Sequence, residues 1–243
     1  MVDLASAASQ AENYVDGKLY GVTRRAGDLV SMTRYPPEFS RAMIGVEFDT
    51  SEMNPTVVVE RVQEFLQGRA EEHVLNVYHD AQEFPRTLIQ QYASLGYDLL
   101  YTSAVLAKQP EPARELETVV VQELRTEGQR MLVNLTHQDH QPVPDAVLGD
   151  PWIHPFFAVL DGQAVGWGLL VTNVDGVGYV SDMFTLPDYR GRGVATALLD
   201  RLESKALELG IGWVTLTPSF MAWSFYQRVG YAPVAWFTAF KSV

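Results

Sequence analysis

An α/β fold, present twice in tandem, is the architecture this 243-residue sequence predicts, and three observations predict it. Strand-like runs alternate with helical periodicity through the second half. A basic glycine loop joins one of those strands directly to an amphipathic helix. A helix end of the form Tyr-x-x-x-Gly-Tyr occurs twice, with Tyr92, Gly96 and Tyr97 each 134 positions before Tyr226, Gly230 and Tyr231.

Two prolines and several charges in residues 108–117 mark a linker, placed at 109–117, between a first domain at 1–108 and a second at 118–243. Beyond it, residues 119–124 read as a strand and 126–136 as a helix, followed by a loop holding Pro142, Pro144, Pro151 and Pro155. Residues 156–160 and 164–172 read as a hairpin around Asp161-Gly162, and Asp175-Gly176 turns the chain into a third strand at 178–186.

That strand runs into Pro187-Asp188-Tyr189-Arg190-Gly191-Arg192-Gly193-Val194-Ala195. Gly191 and Gly193 allow the backbone to approach a ligand, a helix N-terminus presents unpaired N–H groups, and Arg190 and Arg192 add charge, so the segment reads as a cradle for phosphate. A hydrolase phosphate loop would need Lys-Ser/Thr after its last glycine, where Val194, Ala195 and Thr196 stand. A dinucleotide loop would want glycine at Thr196 and an acid ending the next strand, and residues 213–217 contain none. The helix itself is clear: Val194, Ala195, Leu198, Leu199, Leu202, Ala206 and Leu209 share one face, and Gly210 stops it. A strand at 212–217 and a short helix at 219–228 follow.

Arg190, Gly193 and Ala195 fill the three fixed places of Arg/Gln-x-x-Gly-x-Gly/Ala, and Phe225-Tyr226 with Gly230-Tyr231 fill Phe/Leu-Tyr-x-x-x-Gly-Phe/Tyr. In both motifs, and in element order over residues 117–243, the sequence resembles the GNAT acetyltransferase superfamily. The resemblance implies a mixed, mostly antiparallel central sheet flanked by helices, two GNAT-like domains in tandem, and acetyl-CoA as co-substrate. It implies that the backbone of Arg190, Gly191, Arg192, Gly193, Val194 and Ala195 holds the diphosphate. The main chain of Met183, Phe184 and Thr185 would bond the pantetheine. Tyr226 would approach the sulfur and donate to the leaving thiolate, as a phenol near its ordinary pKa of about 10. Ser219 stands where the family often has an asparagine, which puts cofactor contact there in doubt. For the base that deprotonates an amine acceptor, Asp182 on the cofactor strand comes first, His154 second and Asp150 third, with ordered water as a further option.

In the first half, residues 42–48 would be the strand before a cradle, 55–66 the helix after it, and 73–78 and 99–106 later strands. Between them stand Asp49, Ser51 and Glu52, with no arginine or glycine, and acids repel a diphosphate. The first domain therefore reads as a degenerate repeat without a cofactor site.

No cysteine is present, which excludes disulfides, thiolate metal sites and an acetyl-cysteine intermediate, and leaves direct attack on the thioester. A net charge of −12 disfavours nucleic acid and anionic membranes as partners. The same charge favours cationic acceptors such as a small-molecule or peptide amine, and equally serves solubility. His137 and His140 flank Asp139 and read as surface residues, so no metal is expected. With no long apolar run and no basic N-terminal region, the expected setting is cytoplasmic; a homodimer is left open. Against an acetyltransferase stand a non-catalytic acyl-CoA-binding or regulatory module and a nucleotide-binding structural protein.

Overall fold

A computed structural model describes residues 2–34, 43–48, 54–67, 72–80, 84–114, 118–137 and 142–243. The chain divides into two compact units, residues 1–107 with 217–243, and residues 108–216. Residues 217–243, which the sequence assigns to the second domain, thus pack in the first unit.

The first unit contains helices α1 (Leu4–Asp16), α2 (Pro55–Leu66) and α3 (Arg86–Ser94), and strands β1 (Val22–Ala26), β2 (Leu29–Arg34), β3 (Met43–Phe48), β4 (His73–His79) and β5 (Tyr97–Lys108). From the chain's end it takes α6 (Trp223–Arg228) and β11 (Ala232–Ser242). The strand order is β1-β2-β3-β4-β11-β5. Only β3 and β4 run parallel, as a connection through a helix requires; the others are antiparallel, and β11 is inserted between β4 and β5. Asn54 caps α2 by accepting from the Thr56 N–H at 2.9 Å, with Pro55 at the first helical position. Val58, Val59, Val62, Phe65 and Leu66 of α2 then bury against Leu29, Val46, Leu75, Tyr92 and Phe240.

Helix α1 and the β1–β2 hairpin have no counterpart in the sequence expectations. α1 buries Ala5, Ala7, Ala8, Ala11 and Val15, so it packs by close approach of small side chains. Its cap is Asp3, accepting from the Ser6 N–H at 2.9 Å.

The second unit holds β6 (Val120–Glu123), α4 (Glu127–His137), β7 (Ile153–Leu160), β8 (Gln163–Val174), β9 (Val177–Thr185), α5 (Val194–Glu208) and β10 (Trp213–Leu216). Its strands are ordered β10-β9-β8-β7-β6, with only β9 and β10 parallel. The mixed, mostly antiparallel α/β sheet flanked by helices is therefore as expected. Phe156, Trp167, Leu169, Leu198 and Leu202 are fully or almost fully buried in this unit.

The stretch read as a linker is strapped to α5. Lys108 pairs with Glu203 at 3.1 Å, the Glu111 and Ala113 N–H groups donate to Glu203 and Ser204 at 3.1 and 2.7 Å, and Arg114 donates twice to Asp200 at 3.0 and 2.8 Å. Residues 115–117 lie outside the described part, as do Asp49, Ser51 and Glu52 of the first repeat.

Candidate functional site

Strand β9, the glycine loop and the first turn of α5 form one continuous surface in the second unit. The ladder with β10 covers only Val177, Gly178 and Tyr179, so residues 180–185 of β9 run beyond it. On the other side the register slips between Leu169↔Ser181 and Trp167↔Phe184, leaving Asp182 and Met183 opposite the single residue Gly168. Asp182 takes φ +53°, a left-handed conformation that is strained for most side chains but tolerated by aspartate. The Ser181 hydroxyl donates to its carboxylate at 3.0 Å. The bulge breaks the strand's regular alternation at the position the sequence nominates for a base.

After β9, a 3-10 turn (Pro187–Tyr189) leads to Gly191 at φ +72° and Gly193 at φ +83°. Gly193 is the N-cap of α5 and makes no side-chain cap bond. The first helical backbone bond runs from Ala197 to Gly193, so the N–H groups of Val194, Ala195 and Thr196 have no backbone acceptor among the described residues. A side-chain carbon placed on Gly191 or Gly193 would meet nothing within 4 Å. Unused donors at a helix N-terminus and open space before them fit an anionic diphosphate. Arg190 lies over the Phe184 ring at 5.9 Å and donates to the Thr185 carbonyl at 3.2 Å. Arg192 pairs with Asp161 at 2.7 Å, an exposed pair of the kind worth about 0–1 kcal/mol, which leaves the guanidinium ready to exchange partners.

The other nominated residues stand elsewhere. Met183 packs over Gly168, and Phe184 meets the ring of His137 edge-on at 5.6 Å. His137, expected at the surface, is buried; Asp139 and His140 lie outside the described residues. His154 shares a hydrogen bond with Thr172 at 3.1 Å and lines a cavity of about 340 Å³ with Trp152 and with Leu209, Gly210 and Ile211. These last residues follow the C-terminal end of α5, whose 15 residues span roughly 22 Å. His154 is therefore not brought to the glycine loop, and burial together with Lys205 pushes its pKa below the usual value.

Tyr226 and Ser219 belong to the first unit. Ser219 is exposed, and its carbonyl accepts from the Ala222 N–H at 3.0 Å. Tyr226 is 5% exposed and packs edge-on against Phe225 and Tyr231 at 5.0 and 5.7 Å. Burial pushes its phenol above the ordinary value of 10, which corrects the expectation of an unperturbed group. Its repeat counterpart Tyr92 is fully sealed, and that hydroxyl has no hydrogen-bond partner among the described residues.

The first repeat also differs at its parallel strand pair. There α1 lies against β3, β4 and β11, and the Ser9 hydroxyl donates to the Phe48 carbonyl, at the end of β3. By the repeat spacing Phe48 corresponds to Asp182, so in the first unit a helix of the same unit lies against the matching position. In the second unit α4 packs on β8 instead.

A mixed sheet with one parallel pair, a bulged strand running out beyond its neighbour, and a glycine loop opening a helix is the architecture of a GNAT fold. Residues 115–231 match the acetyltransferase (GNAT) family. The match continues past residue 216 into α6 of the first compact unit. Among solved structures, a GCN5-related N-acetyltransferase from Kribbella flavida is 18% identical with a TM-score of 0.67, covering 100% of this chain and 96% of that one. A putative GNAT-family acetyltransferase from Novosphingobium aromaticivorans is 16% identical with a TM-score of 0.56, covering 98% and 99%. A tandem GNAT protein from the clavulanic acid biosynthesis pathway is 11% identical with a TM-score of 0.58, covering 90% and 80%. These are likenesses of fold. No curated protein matches the sequence.

Proposed function

We propose that this protein is an acetyl-CoA-dependent N-acetyltransferase that transfers an acetyl group to the amine of a small molecule or peptide by direct attack on the thioester. The observation that carries the reading is the pairing of an uncapped helix N-terminus behind Gly191 and Gly193 with the stretch of β9, residues 180–185, that runs beyond its ladder with β10. The first supports a diphosphate and the second an extended amide chain hydrogen-bonded strand-fashion, and pantetheine-bearing CoA has both.

In this reading the N–H groups of Val194, Ala195 and Thr196, with Arg190 and Arg192, hold the diphosphate, and the main chain of Met183, Phe184 and Thr185 holds the pantetheine. Ser219 adds a weaker cofactor contact. Asp182 accepts the proton that an ammonium acceptor loses before attack. The buried Tyr226 phenol, its pKa raised, stays neutral and donates a hydrogen bond to the departing thiolate. With no cysteine in the chain, attack by the acceptor itself is the simplest route. The catalytic domain is taken as 118–243 and the first repeat, 1–108, as a copy without a cofactor site, in keeping with α1 against β3 and the sealed Tyr92. The proposed setting is cytoplasmic. No helix among the described residues is long and apolar enough to cross a membrane.

Acetyl-CoA is expected to raise the melting temperature, and free CoA is expected to appear when an amine panel is added. Stabilisation without CoA release from any amine would instead favour a non-catalytic acyl-CoA-binding module. Stabilisation by a dinucleotide and not by CoA would overturn the reading.

A further inference from the structure

We infer that Gly166 is a positioning residue for the acyl-CoA cradle: the absence of a side chain there lets the end of β9 and the first turn of α5 meet at the spacing the cradle needs. The inference rests on the acyl-CoA reading and names a residue that touches no substrate.

Gly166 lies on β8, paired with Thr185. A Cβ built on it would lie 2.8 Å from the Phe184 carbonyl oxygen, 2.9 Å from Val194 Cγ1 and 3.2 Å from Leu198 Cδ1. The first contact is backbone and cannot rotate away. The other two belong to the first turns of α5, whose N-terminus is the proposed anion site. A methyl group at 166 therefore wedges between the strand that would bond the pantetheine and the helix that would bond the diphosphate.

The rest of the β7–β8 hairpin holds the same loop. The Leu186 N–H donates to the Val165 carbonyl at 2.9 Å, the Tyr189 hydroxyl to Gln163 at 2.9 Å, and Arg192 pairs with Asp161 at 2.7 Å. With residues 161, 163 and 165 fixing the outer loop, a displacement forced at 166 falls on Phe184 and Val194. Charge-assisted hydrogen bonds to a diphosphate depend on donors held within a few tenths of an ångström, so a small shift weakens several at once.

Gly178 supplies a control. It lies near the start of β9, at the far end of the strand from the loop, where a Cβ would lie 2.8 Å from Leu170 Cδ1, the tip of a side chain, and from no backbone atom so closely. Gly166→Ala is expected to raise the KM for acetyl-CoA by about tenfold and to shrink the acetyl-CoA-induced melting shift, with kcat within about threefold of wild type. Gly178→Ala is expected to lower the melting temperature without moving that KM. A Gly166→Ala enzyme with KM within twofold of wild type, or a Gly178→Ala enzyme with the same rise, overturns the inference. Should Gly166→Ala be too unstable to assay, Gly166→Ala/Val194→Ala removes the nearer of the two helix-side contacts and keeps the clash with the Phe184 carbonyl. Its KM is expected to stay raised, and a KM within twofold of Val194→Ala alone overturns the inference. A wild-type protein that acetyl-CoA does not stabilise overturns the reading and the inference together.

Discussion

Replacing Gly193 with tryptophan separates the two consequences of its geometry. Gly193 sits at φ +83°, where an L side chain costs about 1–2 kcal/mol. It makes no cap bond that the change would delete, and a Cβ there meets no atom within 4 Å, so the folded chain bears little besides the backbone term. For a chain of this size each kcal/mol moves the melting temperature by about 2–4 °C, so a loss of roughly 2–8 °C is expected. The indole, however, fills the space in front of the α5 N-terminus. At a hundredfold excess over its Kd, acetyl-CoA would stabilise the wild type by about 2.7 kcal/mol, or roughly 5–11 °C. That increment is expected to vanish in Gly193→Trp. Differential scanning fluorimetry with and without acetyl-CoA reads both quantities, and a variant that keeps the ligand-induced shift would refute the placement of the cradle.

Further outcomes follow from other residues. Tyr226→Phe removes the hydroxyl and leaves the packing against Phe225 and Tyr231, so kcat is expected to fall by about 10–100-fold with KM within twofold; an unchanged kcat would remove Tyr226 from the mechanism. Burial holds the pKa of His79 at about 4 against 6.5 in the unfolded chain. Its neutral burial therefore contributes stability that is complete above pH 6.5 and lost as pH falls toward 4, up to about 3 kcal/mol. His79→Gln, which can still bond to Thr238, is expected to flatten that part of the stability profile, and a profile parallel to wild type would show that other groups govern it. Lys108→Ala leaves Glu203, whose side chain is only 2% exposed, without its cation, and is expected to cost about 3 kcal/mol in chemical denaturation; a loss below 1 kcal/mol would mean the strap is not held by that pair.

The elements legible in the sequence were those whose signals are local. The turns Asp161-Gly162 and Asp175-Gly176, the helical spacing from Val194 to Leu209 and the Asn54-Pro55 start of α2 each depend on neighbours within a few residues. They place β7, β8, β9, α5 and α2 within a few residues of their observed ends. α1 gives a weak signal in the sequence because its buried face is mostly alanine, whose contribution comes from how closely a sheet can approach it. The linker at 109–114 carries the prolines and charges of a mobile segment, yet its Arg114 guanidinium and its Glu111 N–H find Asp200 and Glu203 on α5, 86 and 92 positions away.

By itself the sequence determined the glycine loop, its basic arms, the helix behind it and the repeat of Tyr-x-x-x-Gly-Tyr, because backbone conformation at glycine and apolar periodicity are properties of short windows. Only the tertiary structure decided that β11 lies between β4 and β5, that residues 217–243 pack in the first unit, that Asp182 sits in a strained bulge and that the Tyr226 phenol is buried. Strand pairing, register and desolvation are set by residues far apart in the chain, and no local pattern encodes them.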